Sequence, residues 1–168
     1  MSYEPLNVNS KITEDKNNEE VEVTLPTDLI GLHEKFDFET LRNENRFLNV
    51  ADNADGTVTV KMSGDQQKEI QGIIKKLIDQ SISDILLDDI MGAYYSDIKV
   101  NDDCTAIQVY VPEDSFDMFH RLGLLPVKIS CMIYQAFSGS NEYGTDVFVF
   151  GNQSDLVIDE YYYSSEEL

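Results

Sequence analysis

The chain has 168 residues, with 12 Lys and Arg against 32 Asp and Glu, and a formal charge of −20 at neutral pH. That length suits one domain of ordinary size, and 42% hydrophobic with 10% aromatic residues suffices to close a core. Two Cys, two His and no stretch nearing the ~18–20 apolar residues of a membrane span set aside a disulfide scaffold, a zinc finger and a transmembrane helix, while so few Lys and Arg disfavour binding to phosphate backbones or anionic lipid.

Residues 1–20, MSYEPLNVNSKITEDKNNEE, are too polar for burial to offset the entropy of ordering them, so a flexible acidic arm is expected, followed by one domain over 21–163. No basic segment followed by an apolar run opens the chain, and the cytosol is the expected compartment. Val21, Val23 and Leu25 alternate as a strand does, and Pro26 ends it. Over 27–42, Leu29, Ile30, Leu32, His33, Phe36 and Leu41 match a helix loosely, with Gly31 interrupting.

Residues 47–50 and 57–62 predict a hairpin turned by Asp55-Gly56, with Val58, Val60 and Met62 alternating. Ser63 and Gln66 form a capping box, after which Ile70, Ile73, Ile74, Leu77, Ile78, Ile82, Ile85 and Leu86 recur along one helical stripe over about 65–87. Lys68, Lys75, Lys76 and Asp79 fall on the opposite side. A second hairpin is expected over 97–100 and 106–111, around Asn101-Asp102-Asp103, with Pro112 closing it. Ser115 then caps a short helix carrying Phe116, Phe119 and Leu122.

Residues 127–137 are apolar nearly throughout and fit helix or strand; Pro126 before them and Gly139 after them favour helix. A third hairpin spans 145–150 and 156–162, and 164–168 form a frayed tail. Together these elements predict an α+β fold, an antiparallel sheet built from hairpins with two or three helices packed on it.

The chemical candidates are thin. Aligning Gly56 with the sixth position of a calcium loop puts Ala51 at the first ligand position and Met62 at the twelfth, where oxygens are needed. Asp102 with Asp103, and Asp114 with Asp117, are acid pairs able to hold a cation or share a proton, but among 32 carboxylates adjacent acids are expected by chance, and solvated turn and helix-cap positions are the favoured explanation. His33 and His120 have no second His or Cys at ligand spacing, and no nucleophile elbow or glycine-rich phosphate loop is present. Cys104 and Cys131 read as buried free thiols. No catalytic, metal or cofactor site is expected.

Charge is uneven: residues 96–168 hold 13 acids against 3 bases. Asp97, Asp102, Asp103, Glu113, Asp114, Asp117, Glu142, Asp146, Asp155, Asp159 and Glu160 fall in turns, helix starts or strand positions expected to face solvent. On strands about 4.8 Å apart, with same-face residues roughly 6.6–7 Å apart, carboxylates are spaced comparably to nucleic-acid phosphates. Tyr161-Tyr162-Tyr163 offers interface anchors in Tyr161 and Tyr163, or a half-buried terminal strand.

The run from Tyr94 through Asp97, Asn101, Asp102, Asp103 and Cys104 to Thr105, with Tyr134-Gln135-Ala136-Phe137-Ser138-Gly139 and the hairpin after it, resembles small acidic proteins of phages and plasmids from Gram-positive bacteria. The resemblance covers roughly the last 75 residues. It implies a role facing the bacterial host, of the kind filled by nucleic-acid mimics that block restriction or CRISPR enzymes. The expected partner is therefore a basic, nucleic-acid-binding enzyme, engaged by the acidic face through rapid, salt-sensitive association. The alternative is a structural or assembly accessory that self-associates, as a homodimer or larger, through the tyrosine edge.

Overall fold

The computed structural model describes residues 19–115, 119–164 and 166. Strand β1 (Glu20–Pro26) begins where the polar N-terminal run gives way to Val21, Val23 and Leu25, so Glu20 belongs to a strand and not to the arm expected over 1–20; residues 1–18 lie outside the described part. The loose apolar pattern after Pro26 makes two short helices, α1 (Thr27–Ile30) and α2 (Phe38–Asn43), in place of one. Gly31 closes the first, and Asp37 caps the second by accepting the Thr40 N–H at 2.9 Å. The break lets Leu29, Ile30, Phe36, Phe38 and Leu41 all turn inward, which no single helical stripe of that spacing allows.

Strands β2 (Asn49–Asp52) and β3 (Thr57–Ser63) form the expected hairpin. Gly56 takes φ 81°, and Asp55 Oδ1 accepts the Thr57 N–H at 3.1 Å, so local chemistry fixes the turn. Strand β1 joins the other side of β3, giving an antiparallel sheet of order β1-β3-β2 that buries Val23, Leu25, Val58, Val60 and Met62. The capping box forms in full: Ser63 Oγ accepts the Gln66 N–H at 3.1 Å and Gln66 Oε1 accepts the Ser63 N–H at 2.9 Å. Helix α3 (Gly64–Leu87) follows and buries Ile70, Ile74, Leu77, Ile78, Ser81 and Ile85.

The second sheet runs β4-β5-β6-β7, from β4 (Asp97–Val100), β5 (Ala106–Val111), β6 (Gly144–Gly151) and β7 (Val157–Ser164). The chain is thus α+β, with the three predicted hairpins, but a purely antiparallel sheet is not what they build. The described residues form two sheets, and β5 pairs with β6 in parallel, Ala106 opposite Asp146 through Val111 opposite Gly151. The cause is the crossover: α4 (Phe119–Gly123) and α5 (Leu125–Phe137) return the chain to the end where β5 began. Phe116 lies outside the described residues, and Leu122 of α4 is 65% exposed rather than packed.

Helix α5 is the hub. It touches β1, β6, α1, α3 and α4, and every residue from Val127 to Ile133 is buried. Burial on all sides explains a sequence apolar on all sides. Pro126 in its first turn and Gly139 at φ 87° beyond its end punctuate it as a helix. Among the described residues, no helix is long and apolar enough to cross a membrane.

Candidate functional site

Each sheet turns one face to the core and leaves the other uncovered, and the two uncovered faces differ. On the first sheet the outward residues are polar, among them Glu20, Glu22, Thr24, Thr59 and Lys61. On the second, the register brings Tyr110 of β5, Phe148 and Phe150 of β6 and Tyr162 of β7 to the outward side. Tyr110 and Phe150 stack with ring centres 5.2 Å apart, and Tyr162 lies across Gly144 where any Cβ would collide with its ring. Asp97, Asp146 and Glu160 stand among these rings. Lys99, the only Lys or Arg on this face among the described residues, sits 3.7 Å from the Asp97 carboxylate and 5.4 Å from the centre of the Tyr110 ring.

The structure gathers only part of the carboxylate set expected to act together. Asp102 and Asp103 occupy the β4–β5 turn, and Glu142 leads into β6 at the same end of the sheet. The Thr105 hydroxyl donates to Asp103 at 2.5 Å and holds that carboxyl below the usual range. Glu113, Asp114 and Asp155 stand at the opposite end. Glu113 accepts the Ser154 N–H at 2.9 Å and its hydroxyl at 2.5 Å, which lowers its pKa and ties the chain after β5 to the β6–β7 turn. Asp117 lies outside the described residues.

Asp159, Tyr161 and Tyr163 correct the expectation of a partner-facing tyrosine edge, because they turn to the helix side of the sheet. Arg121 Nη2 is 2.7 Å from Asp159 Oδ2, and its guanidinium lies 4.2 Å from the Tyr161 ring centre. Lys128, only 2% exposed, donates to the Arg121 carbonyl at 2.8 Å and lies 4.7 Å and 4.8 Å from the Tyr161 and Tyr163 rings. These cations fix which rings turn in, and alternation leaves Tyr162 outward, 55% exposed. All three bases of residues 96–168 therefore have partners within the chain.

One constellation was invisible in the sequence. His33 Nε2 lies 3.3 Å from Ser81 Oγ at the floor of a groove of about 400 Å3, bordered by Leu32, Asp84, Ile85, Met91, Leu125 and Ile129. Nδ1 accepts the Lys35 N–H at 3.2 Å, so the neutral ring carries its proton on Nε2 and donates to the serine. No lone pair remains to deprotonate Ser81, and the pair does not have the connectivity of a nucleophile and its base. Burial, then Lys35, push the His33 pKa down, with Glu34 opposing. The available signal was Ser81 itself, a polar residue on the apolar stripe of α3. Among the described residues, no group of three or more His, Cys, Asp or Glu is placed to hold a metal ion.

Protein-family models, curated proteins and solved structures were all compared with this chain, and none matches it.

Proposed function

We propose that the protein is an acidic, protein-binding inhibitor that docks the uncovered face of its second sheet into a basic groove of a nucleic-acid enzyme in the bacterial cytoplasm. The observation that carries this reading is the composition of that face: four aromatic rings, three carboxylates and one lysine already paired with Asp97. Aromatic anchors surrounded by like charge suit a partner rich in Arg, which both stacks on rings and pairs with carboxylates. Carboxylates interleaved with flat rings also imitate the phosphates and bases that such a groove accepts. Restriction and guide-RNA nucleases are the enzyme class meant.

The test is DNA cleavage by a panel of purified nucleases at low ionic strength. Inhibition that disappears in an Asp146→Lys/Glu160→Lys variant, yet persists in an Asp79→Lys/Asp89→Lys variant of equal charge, supports the sheet face. If none of the panel binds the wild-type chain at low salt, the reading fails.

A second reading, self-association, is favoured by one observation: β7 is an edge strand whose first residues, Val157 and Ile158, are exposed together with the preceding Leu156. Light scattering separates the two, since a salt-insensitive oligomer supports only the second.

A further inference from the structure

The groove above His33 and Ser81 does not end at Lys35. A second hollow of about 400 Å3 begins on the other side of that residue, lined by Phe36, Leu41, Ile73 and Leu77. Both hollows run along α3, where Ile73, Leu77, Ser81, Ile85 and Asp88 recur at steps of three or four residues. At about 1.5 Å per residue, that row is roughly 22 Å long. A trough of this length suits an extended occupant better than a compact small molecule. Its apolar surface also continues outward: Leu32 on its border is 43% exposed, and Leu87 and Ile90, which precede Asp88 and Met91 in the chain, are exposed as well.

Ser81 adds a directional requirement. It is buried, and its Oγ accepts the His33 proton, so its own proton has to go elsewhere. A helical serine can give that proton to the carbonyl four residues back, as Ser130 does to Pro126 at 2.8 Å. Ser81 makes no such bond, and among the described residues nothing accepts its proton. The floor of the trough therefore offers a donor and calls for an acceptor.

Charge fixes the rest. Glu34, Asp37, Asp84 and Asp88 line the two hollows against Lys35 and Lys76. Lys35 Nζ lies 2.6 Å from Asp84 Oδ2, so those two charges offset each other, and so exposed a pair can shift aside at little cost. Asp88 Oδ1 accepts the Ile90 and Met91 N–H groups at 2.9 Å and 2.8 Å, which keeps its carboxylate ionised beside the hollow.

We propose that the trough docks an extended, basic, amphipathic segment of another protein, with aliphatic side chains in the hollows, a backbone carbonyl on the Ser81 hydroxyl and Lys or Arg facing Glu34 and Asp88. An extended segment has carbonyls to spare, whereas those inside a helix are already bonded. About seven residues at 3.3 Å each span the trough. The site lies on α3 and is separate from the uncovered face of the second sheet.

The experiment titrates the full folded chain with the acetylated, amidated peptide Lys-Leu-Ser-Leu-Ser-Leu-Lys and follows methyl and imidazole resonances by NMR. Shifts should saturate below about 1 mM peptide and fall on Leu32, His33, Leu77, Ile85 and Ile129. Replacing both Lys by Glu in the peptide, or all three Leu by Ser, should weaken binding about tenfold or more. Glu34→Lys should weaken it about fivefold, while Glu22→Lys, an equal change of charge on the outer face of the first sheet, should leave it within about twofold. Leu32→Ser should weaken it about threefold. Circular dichroism of each variant establishes that it is folded. No saturable binding up to about 1 mM overturns the proposal. So do shifts confined to Tyr110, Phe148 and Tyr162, or a Ser-for-Leu peptide that binds as well as the parent.

Discussion

Gln135 and Gly144 are paired through both ends of one amide: Gln135 Nε2 donates to the Gly144 carbonyl at 2.8 Å, and Gln135 Oε1 accepts the Gly144 N–H at 3.0 Å. The same Nε2 also donates to the Cys104 carbonyl, so one buried side chain on α5 satisfies the start of β6 and the β4–β5 turn together. Gln135→Leu keeps the volume and strands three buried backbone groups. At roughly 1 kcal/mol or more each, the loss should be about 3 kcal/mol, read as a lower urea midpoint with an unchanged slope.

Two glycines should respond in opposite directions. A Cβ on Gly92 would stand 2.5 Å from the Leu86 carbonyl oxygen, a backbone atom that has nowhere to go, so Gly92→Ala should cost about 2 kcal/mol. Gly72, inside α3, has nothing within 4 Å, and Gly72→Ala should stabilise by about 0.5–1 kcal/mol through helix propensity. Thermal melts of the two variants check both signs.

Acid should weaken the fold in two stages. The folded His33 pKa lies below the ordinary value, so its neutral form is favoured in the native state. That contribution is complete above the unfolded pKa of about 6.5 and is lost as pH falls toward and through the folded value. Melting temperature should therefore drop on acidification below about pH 6.5, and His33→Gln should flatten that stage. Asp37, Asp55, Asp84, Asp88, Asp103 and Glu113 are each held low by hydrogen bonds, so their contributions are present above the ordinary carboxylate range of about 4 and fade below it.

Salt should stabilise this protein. Exposed ion pairs such as Lys35–Asp84 at 2.6 Å and Lys61–Glu20 at 2.7 Å contribute little and lose it to screening, whereas a charge of −20 repels itself across the whole surface. Screening lengths near 10 Å at 0.1 M shrink to about 3 Å at 1 M, so the repulsion is the larger quantity removed. A melting temperature that rises monotonically with sodium chloride is the expected result, and one that falls would mean the ion pairs dominate.

What the sequence made legible was what short range decides. The Ser63 capping box, the Asp55-Gly56 turn and the Pro126 and Gly139 boundaries of α5 depend on neighbours within a few residues, and each forms as expected. The parallel β5–β6 pairing did not announce itself, because hairpin logic pairs adjacent strands and says nothing of strands separated by a crossover. Alternation predicts that Tyr161 and Tyr163 share a side and Tyr162 takes the other, but not which side is which. That choice belongs to Arg121 and Lys128, on helices that precede β7 by many residues. A meeting point such as His33 with Ser81, 48 positions apart, arises only once distant segments have packed.

The crossover carries a consequence for how the chain is made. As it leaves the ribosome, β4 and β5 can zip together at once, but the flank of β5 that receives β6 stays bare until α4 and α5 have swung across and Gly144 to Gly151 have been translated. A stop codon ahead of Gly144 would release a polypeptide in which α5 lacks its floor and Ile107, Val109 and Val111 lie open, a substrate for chaperones and proteases rather than a shortened version of the fold.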